Sequence, residues 1–169
     1  MNYAKKIDLI IDTSPLKVNL IKPHYTYDRL QKYAKNDSRK PVILNTFFIE
    51  NQNDFVKQLP QKFLIKEIPV VSILEVCGDD CENSALSPHI DIGRYSTLNY
   101  YIKTNDEVTH FYNWEKISYT LNELENFTSK QGECWLIDVS VPHAVSLKRN
   151  EKRQILSFSF VKTKFSELI

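Results

Sequence analysis

The sequence predicts a mainly β fold with flanking helices: a jelly roll or related double-stranded β-helix, the architecture that includes cupins. Three observations lead there. From Pro69 onward, short extended runs recur with turn-like segments between them. Those runs are filled by β-branched and aromatic residues, the chain holding nine Phe and nine Tyr in 169 residues. Only three Gly are present, so neither a glycine-rich phosphate loop nor a dinucleotide fingerprint can be built.

In chain order, Lys6–Ile11 and Leu16–Ile21 read as short strands around the turn-forming Asp12-Thr13-Ser14-Pro15. Tyr27–Ala34 has helical spacing, with Leu30, Tyr33 and Ala34 as its apolar stripe and Asn36-Asp37-Ser38 as its stop. Pro41–Ile49 returns to an extended apolar run. Asp54 caps an expected helix through Phe63, which Pro60 must kink or break because it lacks the N–H of the helical ladder. Residues 1–68 therefore form supporting strands and helices, and residues 69–169 the β core, within one expected domain.

In the core, strands are expected at Val70–Val76, Ser96–Ile102, Val108–Trp114, Ile117–Leu121, Glu133–Val139, Val141–Leu147 and Arg153–Val161. Leu121–Phe127 reads as a brief helix. Gly78-Asp79-Asp80, Lys103-Thr104-Asn105-Asp106, Ser129-Lys130-Gln131-Gly132 and Lys148–Lys152 supply turns.

Composition narrows the function classes. A formal charge of +1 gives no basic field, so no nucleic-acid partner is expected. The first residues lack the apolar core of a signal peptide, and no run has the length of a membrane span, so no membrane partner is expected. Cys77, Cys81 and Cys134 are an odd set without a CxxC pair, which fits reduced thiols and a cytoplasmic location.

The chemistry-bearing pattern is His89-Ile90-Asp91 with His143 well downstream. An extended chain places residues i and i+2 on one face, so His89 and Asp91 can meet one ion, and His143 can reach it from a distant strand. Two His and one carboxylate leave three positions open, the pattern of non-haem Fe(II) oxygenases. The triplet alone carries little weight. Context on both sides has to support it.

That context includes Arg153. If the last two strands form a hairpin around Lys148–Lys152, pairing Leu147 with Arg153 sets His143 opposite Ser157. His143, Arg153, Ile155 and Ser157 then share a face. Arg153 would lie about 13 Å along the sheet from His143, at roughly 3.3 Å per residue. Leu156, Phe158 and Phe160 would face the supporting helices, and Ser157 and Ser159 would leave room for a ligand. The competing role for Arg153 is a surface arginine paired with Glu151.

Residues 89–161 resemble the catalytic core of 2-oxoglutarate- and Fe(II)-dependent oxygenases, above all the prolyl-hydroxylase-like group. Three stretches carry the resemblance: His89-Ile90-Asp91, then Gly93-Arg94-Tyr95-Ser96-Thr97-Leu98-Asn99-Tyr100-Tyr101-Ile102, and Pro142-His143-Ala144-Val145 leading to Arg153-Gln154-Ile155-Leu156-Ser157. The resemblance implies Fe(II) on His89, Asp91 and His143. It implies 2-oxoglutarate on Arg153, Tyr101 and Ser157, with O2 as oxidant. A guanidinium suits the far carboxylate because it forms a paired, charge-assisted fork. Asn99, Arg94 and Trp135 are further candidates for the pocket wall, Asn99 foremost because it shares a face with Tyr101. For Trp135 the plainer role is a core aromatic.

The implied reaction converts 2-oxoglutarate to succinate and CO2 while hydroxylating a C–H bond of a peptidyl or small-molecule substrate. The sequence departs from the family twice. Val108-Thr109-His110-Phe111-Tyr112 stands where many prolyl hydroxylases have a glycine pair, so prolyl specificity is not inherited. Ser159 occupies the position of a second Arg found in nucleobase-demethylating relatives, which counts against that activity. His110 and His24 read as ordinary strand and loop residues. Two other readings remain: a cupin-like metal enzyme without 2-oxoglutarate, and a non-catalytic jelly-roll binding module.

Overall fold

The computed structural model describes residues 2–19, 24–25, 40–41, 43–77, 84–115, 120–147 and 152–169. Thirteen strands follow in chain order: β1 (Ala4–Ile7), β2 (Val18–Asn19), β3 (His24–Tyr25), β4 (Lys40–Pro41), β5 (Ile43–Ile49), β6 (Val70–Cys77), β7 (Ser84–His89), β8 (Ser96–Lys103), β9 (Val108–Glu115), β10 (Thr120–Thr128), β11 (Cys134–Asp138), β12 (His143–Leu147) and β13 (Lys152–Phe160). Among the described residues helix is scarce: α1 (Gln52–Val56) and two 3-10 turns, Gln61–Phe63 and Phe165–Glu167.

The strands form two sheets. The larger runs β1-β11-β8-β13-β6-β5-β2, with β3 also on β5, and the smaller runs β10-β9-β12-β7-β4. All pairings are antiparallel except β4 with β7. From β6 to β9 the chain alternates between the sheets, turns back through the β9–β10 pair, and alternates again to β13. That winding makes a double-stranded β-helix of the jelly-roll type.

Strict alternation explains how one strand serves two cores. On β13, Leu156, Phe158 and Phe160 are fully buried against α1 and its neighbours, in a cluster with Phe55, Leu59 and Phe63. On the opposite face of the same sheet, Tyr101, Trp135, Ile137 and Ile155 meet Phe111 and Phe127 of the smaller sheet. The expected seating of Leu156, Phe158 and Phe160 on the supporting helix is found.

Several expectations need correction. The last two strands are not a hairpin. β12 pairs with β7 and β9, whereas β13 pairs with β6 and β8. Each already has a partner on both sides, so neither has an edge left for the other. His143 therefore lies opposite His89 and Phe111, and Ser157 opposite Ser72 and Asn99. The predicted separation along one sheet does not apply.

Leu121–Phe127 is strand, not helix. A bulge between Glu123 and Glu125 breaks the in–out alternation of β10, so Leu121, Leu124 and Phe127 acquire a helix-like spacing in the sequence. Pro60 ends the expected 54–63 helix outright: α1 stops at Val56, and a 3-10 turn follows the proline. β1 is shorter than expected, with Ile10 exposed outside the strand; of the strand expected at 16–21, Val18–Asn19 is found and residues 20–21 lie outside the described residues. The helix expected at 27–34 lies outside the described residues, as does the start of the strand expected at 117–121.

Candidate metal centre and anion pocket

His89 is the last residue of β7, and Asp91 stands in the turn beyond it. The alternation persists past the strand end: Ile90 is 43% exposed between two buried neighbours. Asp91 is held there by its N–H, which donates to the Val139 carbonyl at 3.1 Å. His143 opens β12 in register with His89, so the two imidazoles stand side by side, ring centroids 4.3 Å apart. One potential ligand atom from each of His89, Asp91 and His143 lies within 4.8 Å of the others.

The local chemistry suits a divalent ion. His143 Nδ1 lies 2.9 Å from the Val141 carbonyl, which can only accept, so Nδ1 carries the proton and Nε2 keeps a lone pair. Burial foremost, with the neighbouring His89, pushes the His143 pKa down to about 4, so the ring stays a neutral donor. Burial opposes ionisation of Asp91. The His89 hydrogen bond, His143 once it is protonated at low pH, and Arg94 outweigh it and hold the carboxyl well below its ordinary range. Two neutral-capable imidazoles and a carboxylate, all buried, form an N2O donor set of the kind that holds first-row metals.

Arg94 completes this corner. Its Nε donates to Asp91 Oδ2 at 2.7 Å, Nη2 lies 2.7 Å from the same oxygen in an ion pair, and Nη1 donates to Ser159 Oγ at 2.7 Å. The turn that returns Arg94 to Asp91 passes through Gly93 at φ +84°, a conformation that disfavours any side chain.

His89, Asp91 and His143 line a cavity of about 590 Å³, part of it open to solvent, between the two sheets. Arg153 lines the same cavity from the opposite sheet. It is 2% exposed, so it is not the surface arginine of the competing reading, whose partner Glu151 lies outside the described residues. Nη2 donates to Tyr101 Oη at 2.6 Å and to Thr109 Oγ1 at 3.2 Å, and its Nε has no partner. Among the described residues no carboxylate forms an ion pair with it. A buried guanidinium with an unpartnered Nε and no ion pair among the described residues is suited to receive an anion.

The remaining candidates divide into two shells. Arg94 and Asn99 line the cavity, as expected of pocket-wall residues. Tyr101 lies fully buried behind the cavity and reaches it through Arg153. Burial raises the Tyr101 pKa against the opposing charge of Arg153, so the phenol keeps its proton. Ser157 is also fully buried and bonds Thr97 Oγ1 at 2.7 Å, with Thr97 the residue that lines the cavity. Trp135 stacks on Phe127, centroids 4.2 Å apart, and donates from Nε1 to Glu133 at 2.9 Å; it is a core aromatic away from the described lining. His110 sits half-buried on β9 between Glu123 and Ser146, outside the cavity.

Thr97 and Thr109 were missed in the sequence. The signal was available: Thr97 precedes Asn99 and Tyr101 at period 2 on β8, and Thr109 precedes Phe111 in the same way on β9. Both β-branched hydroxyls read as ordinary strand residues until the sheets are brought together.

No family model and no curated protein matches the chain. Among solved structures it is similar to a Pseudomonas putida prolyl-4-hydroxylase, at 9% identity over 79% of this chain and 82% of that one, with a TM-score of 0.42. It is similar to a Burkholderia pseudomallei oxidoreductase of the 2OG-Fe(II) oxygenase family, at 12% identity, 95% and 66% coverage and a TM-score of 0.44. A 7S globulin from Momordica charantia is also similar, at 13% identity over 71% of this chain, with a TM-score of 0.41. The chain spans only 30% of that globulin's length. Enzymes and storage proteins thus share the likeness. Any activity has to be argued from the site. Among the described residues no helix is long and apolar enough to cross a membrane.

Proposed function

We propose that this chain is an Fe(II)- and 2-oxoglutarate-dependent dioxygenase that hydroxylates a C–H bond of a small-molecule or peptidyl substrate, with succinate and CO2 as co-products. The observation that carries the reading is the buried Arg153, without an ion pair among the described residues, lining one cavity with the His89–Asp91–His143 group. A metal group alone fits many cupin-like enzymes. A sealed guanidinium in the same cavity fits a cosubstrate with a charged group at the far end from the metal.

In this reading His89, Asp91 and His143 hold Fe(II), which when bound supplies the activation of O2 that no side chain can provide. The chain supplies the remaining requirements. His143 is kept neutral and oriented by the Val141 carbonyl, and Asp91 is kept ionised. Arg153 binds the distal carboxylate of 2-oxoglutarate, Tyr101 and Thr109 hold the guanidinium in place, and Ser157 supports Thr97. Apolar side chains of Leu74, Val76, Val145 and Ile155 exclude water from the stem of the cosubstrate.

Anaerobic addition of Fe(II) and 2-oxoglutarate to the purified protein should produce a weak visible charge-transfer band, and air should then yield succinate. Stoichiometric Fe(II) uptake with neither signal would remove 2-oxoglutarate from the reading and leave a cupin-like metal enzyme. No Fe(II) uptake at all would leave a binding module.

A further inference from the structure

Asp91 carries two carboxylate oxygens, and their surroundings differ. A carboxylate free to rotate can bind an ion through one oxygen or both, and the choice decides how many positions stay open. In this fold the choice is already made. Two guanidinium nitrogens of Arg94 converge on the same oxygen, Oδ2: Nε donates to it at 2.7 Å, and Nη2 stands 2.7 Å from it in the ion pair. The third, Nη1, is anchored on Ser159 Oγ at the end of β13. The other oxygen, Oδ1, faces His89 Nε2 at 3.5 Å, inside the cluster.

The backbone around this pair is tied down independently. Asp91 N–H donates to Val139, Val139 N–H to Tyr95, and Tyr95 N–H to Phe160. The turn from Asp91 to Tyr95 is therefore fixed at both ends, and the arginine has only the carboxylate plane left to set. An Arg fork does this by geometry; a lysine, a point charge on a flexible stem, does not.

We infer that Arg94 is a positioning residue that occupies Asp91 Oδ2 and so makes Asp91 a single-oxygen metal donor. The inference rests on the metal-holding role of His89, Asp91 and His143. Its consequence is concrete. With Asp91 limited to one position, an octahedral ion on this group keeps three open positions. A chelating carboxylate would reduce them to two and leave no room for a bidentate cosubstrate together with a third ligand.

Co(II) reports the difference directly, because its visible ligand-field spectrum follows coordination number and donor set. Purified wild-type protein, R94A, R94K and H143A are titrated with Co(II), with far-UV circular dichroism and thermal melts to establish folding. The wild type should bind Co(II), and H143A should lose it. R94A should bind Co(II) with a shifted spectrum, as Oδ2 becomes free to join the ion. R94K should give the R94A spectrum, since it restores the charge and not the fork. A merely structural role for Arg94 would lower the melting temperature and leave the bound-Co(II) spectrum unmoved.

An R94A spectrum superimposable on the wild type overturns the inference, and so does an R94K spectrum that reverts to the wild type. Should R94A fail to fold, R94Q carries the same comparison. Absence of Co(II) binding in the wild type overturns the metal site itself, and with it this inference. That failure is visible before any Arg94 variant is made.

Discussion

Arg153 Nη2 donates to the Tyr101 hydroxyl at 2.6 Å, and the two side chains are 2% and 0% exposed. They come from neighbouring strands of the larger sheet, β13 and β8, and the guanidinium carbon lies 4.8 Å from the Tyr101 ring centre. The phenol thus clamps the cation from behind while the cavity lies in front. Removing the hydroxyl should loosen the clamp without touching the metal group. Y101F is expected to raise the KM for 2-oxoglutarate by roughly tenfold, the scale of one charge-assisted hydrogen bond, with kcat nearly unchanged. Steady-state succinate formation measures both. A fall in kcat at constant KM would contradict the assignment.

The same burial makes Arg153 a stability liability. A buried charge without a counter-ion costs several kcal/mol, and apolar replacement of buried ionic groups is often stabilising by about 1–4 kcal/mol. R153M should therefore raise the urea midpoint of the ligand-free protein, even though Tyr101 and Thr109 each lose a donor. Wild-type protein should gain thermal stability from added 2-oxoglutarate in the presence of metal, and R153M should gain none. Loss of stability in R153M, with the ligand response intact, would show that the guanidinium serves the fold.

Metal binding to a folded-state site stabilises by mass action, about 2.7 kcal/mol at a hundredfold excess over Kd. Ni(II), which is inert toward O2 here, should raise the melting temperature, and EDTA should reverse the rise. H89A, D91A and H143A should each abolish it. A rise that survives H143A would place the ion elsewhere.

The fold was largely legible because its signals are local. Period-2 runs such as Ser96–Lys103 and Lys152–Phe160 show their strands directly, and the opposite characters of Ser157 and Phe158 show the two faces. The metal candidates were legible for the same reason, His89 and Asp91 being two residues apart. What failed was non-local. Which sheet receives β12 and which β13 is settled by β7, β9, β6 and β8 competing for their edges, and nothing in Lys148–Lys152 encodes that competition. The bulge at Glu123–Glu125 likewise turned a strand into a helix-like pattern. Thr97 and Thr109 became visible as pocket residues only once the sheets faced each other.

Acid should weaken the metal-free protein through His143. Its folded pKa is pushed down from 6.5 to about 4, chiefly by burial, so between those values the unfolded chain binds a proton that the folded one refuses. This contribution is complete above about pH 6.5, is lost as the pH falls toward 4, and levels off below it. Its size is on the order of 3 kcal/mol at 1.36 kcal/mol per unit. Asp91, depressed in the fold, acts in a lower window: its contribution is lost as the pH drops below the ordinary carboxylate value of 3.8. Urea midpoints of metal-free wild type and H143Q, compared from neutral pH to about 3, should separate the two windows. H143Q should show a shallower fall above pH 4, and parallel curves would refute the assignment.

The two faces of β13 allow binding and stability to be varied separately. Phe158 is fully buried in the outer core, in one cluster with Phe55 and Phe63, while Arg153 on the other face meets the cavity. F158A should therefore lower stability by about 3–5 kcal/mol, the usual cost of a large cavity in a packed core. Because alternation directs its side chain away from the cavity, the protein that remains folded should bind Ni(II) with unchanged affinity. R153M should gain ligand-free stability and lose the 2-oxoglutarate response while keeping its Ni(II) affinity. Urea unfolding and Ni(II) titration of both variants test this pairing. A loss of Ni(II) affinity in folded F158A would mean that the outer core sets the geometry of the metal group through the strand, against the separation that the alternation of β13 implies.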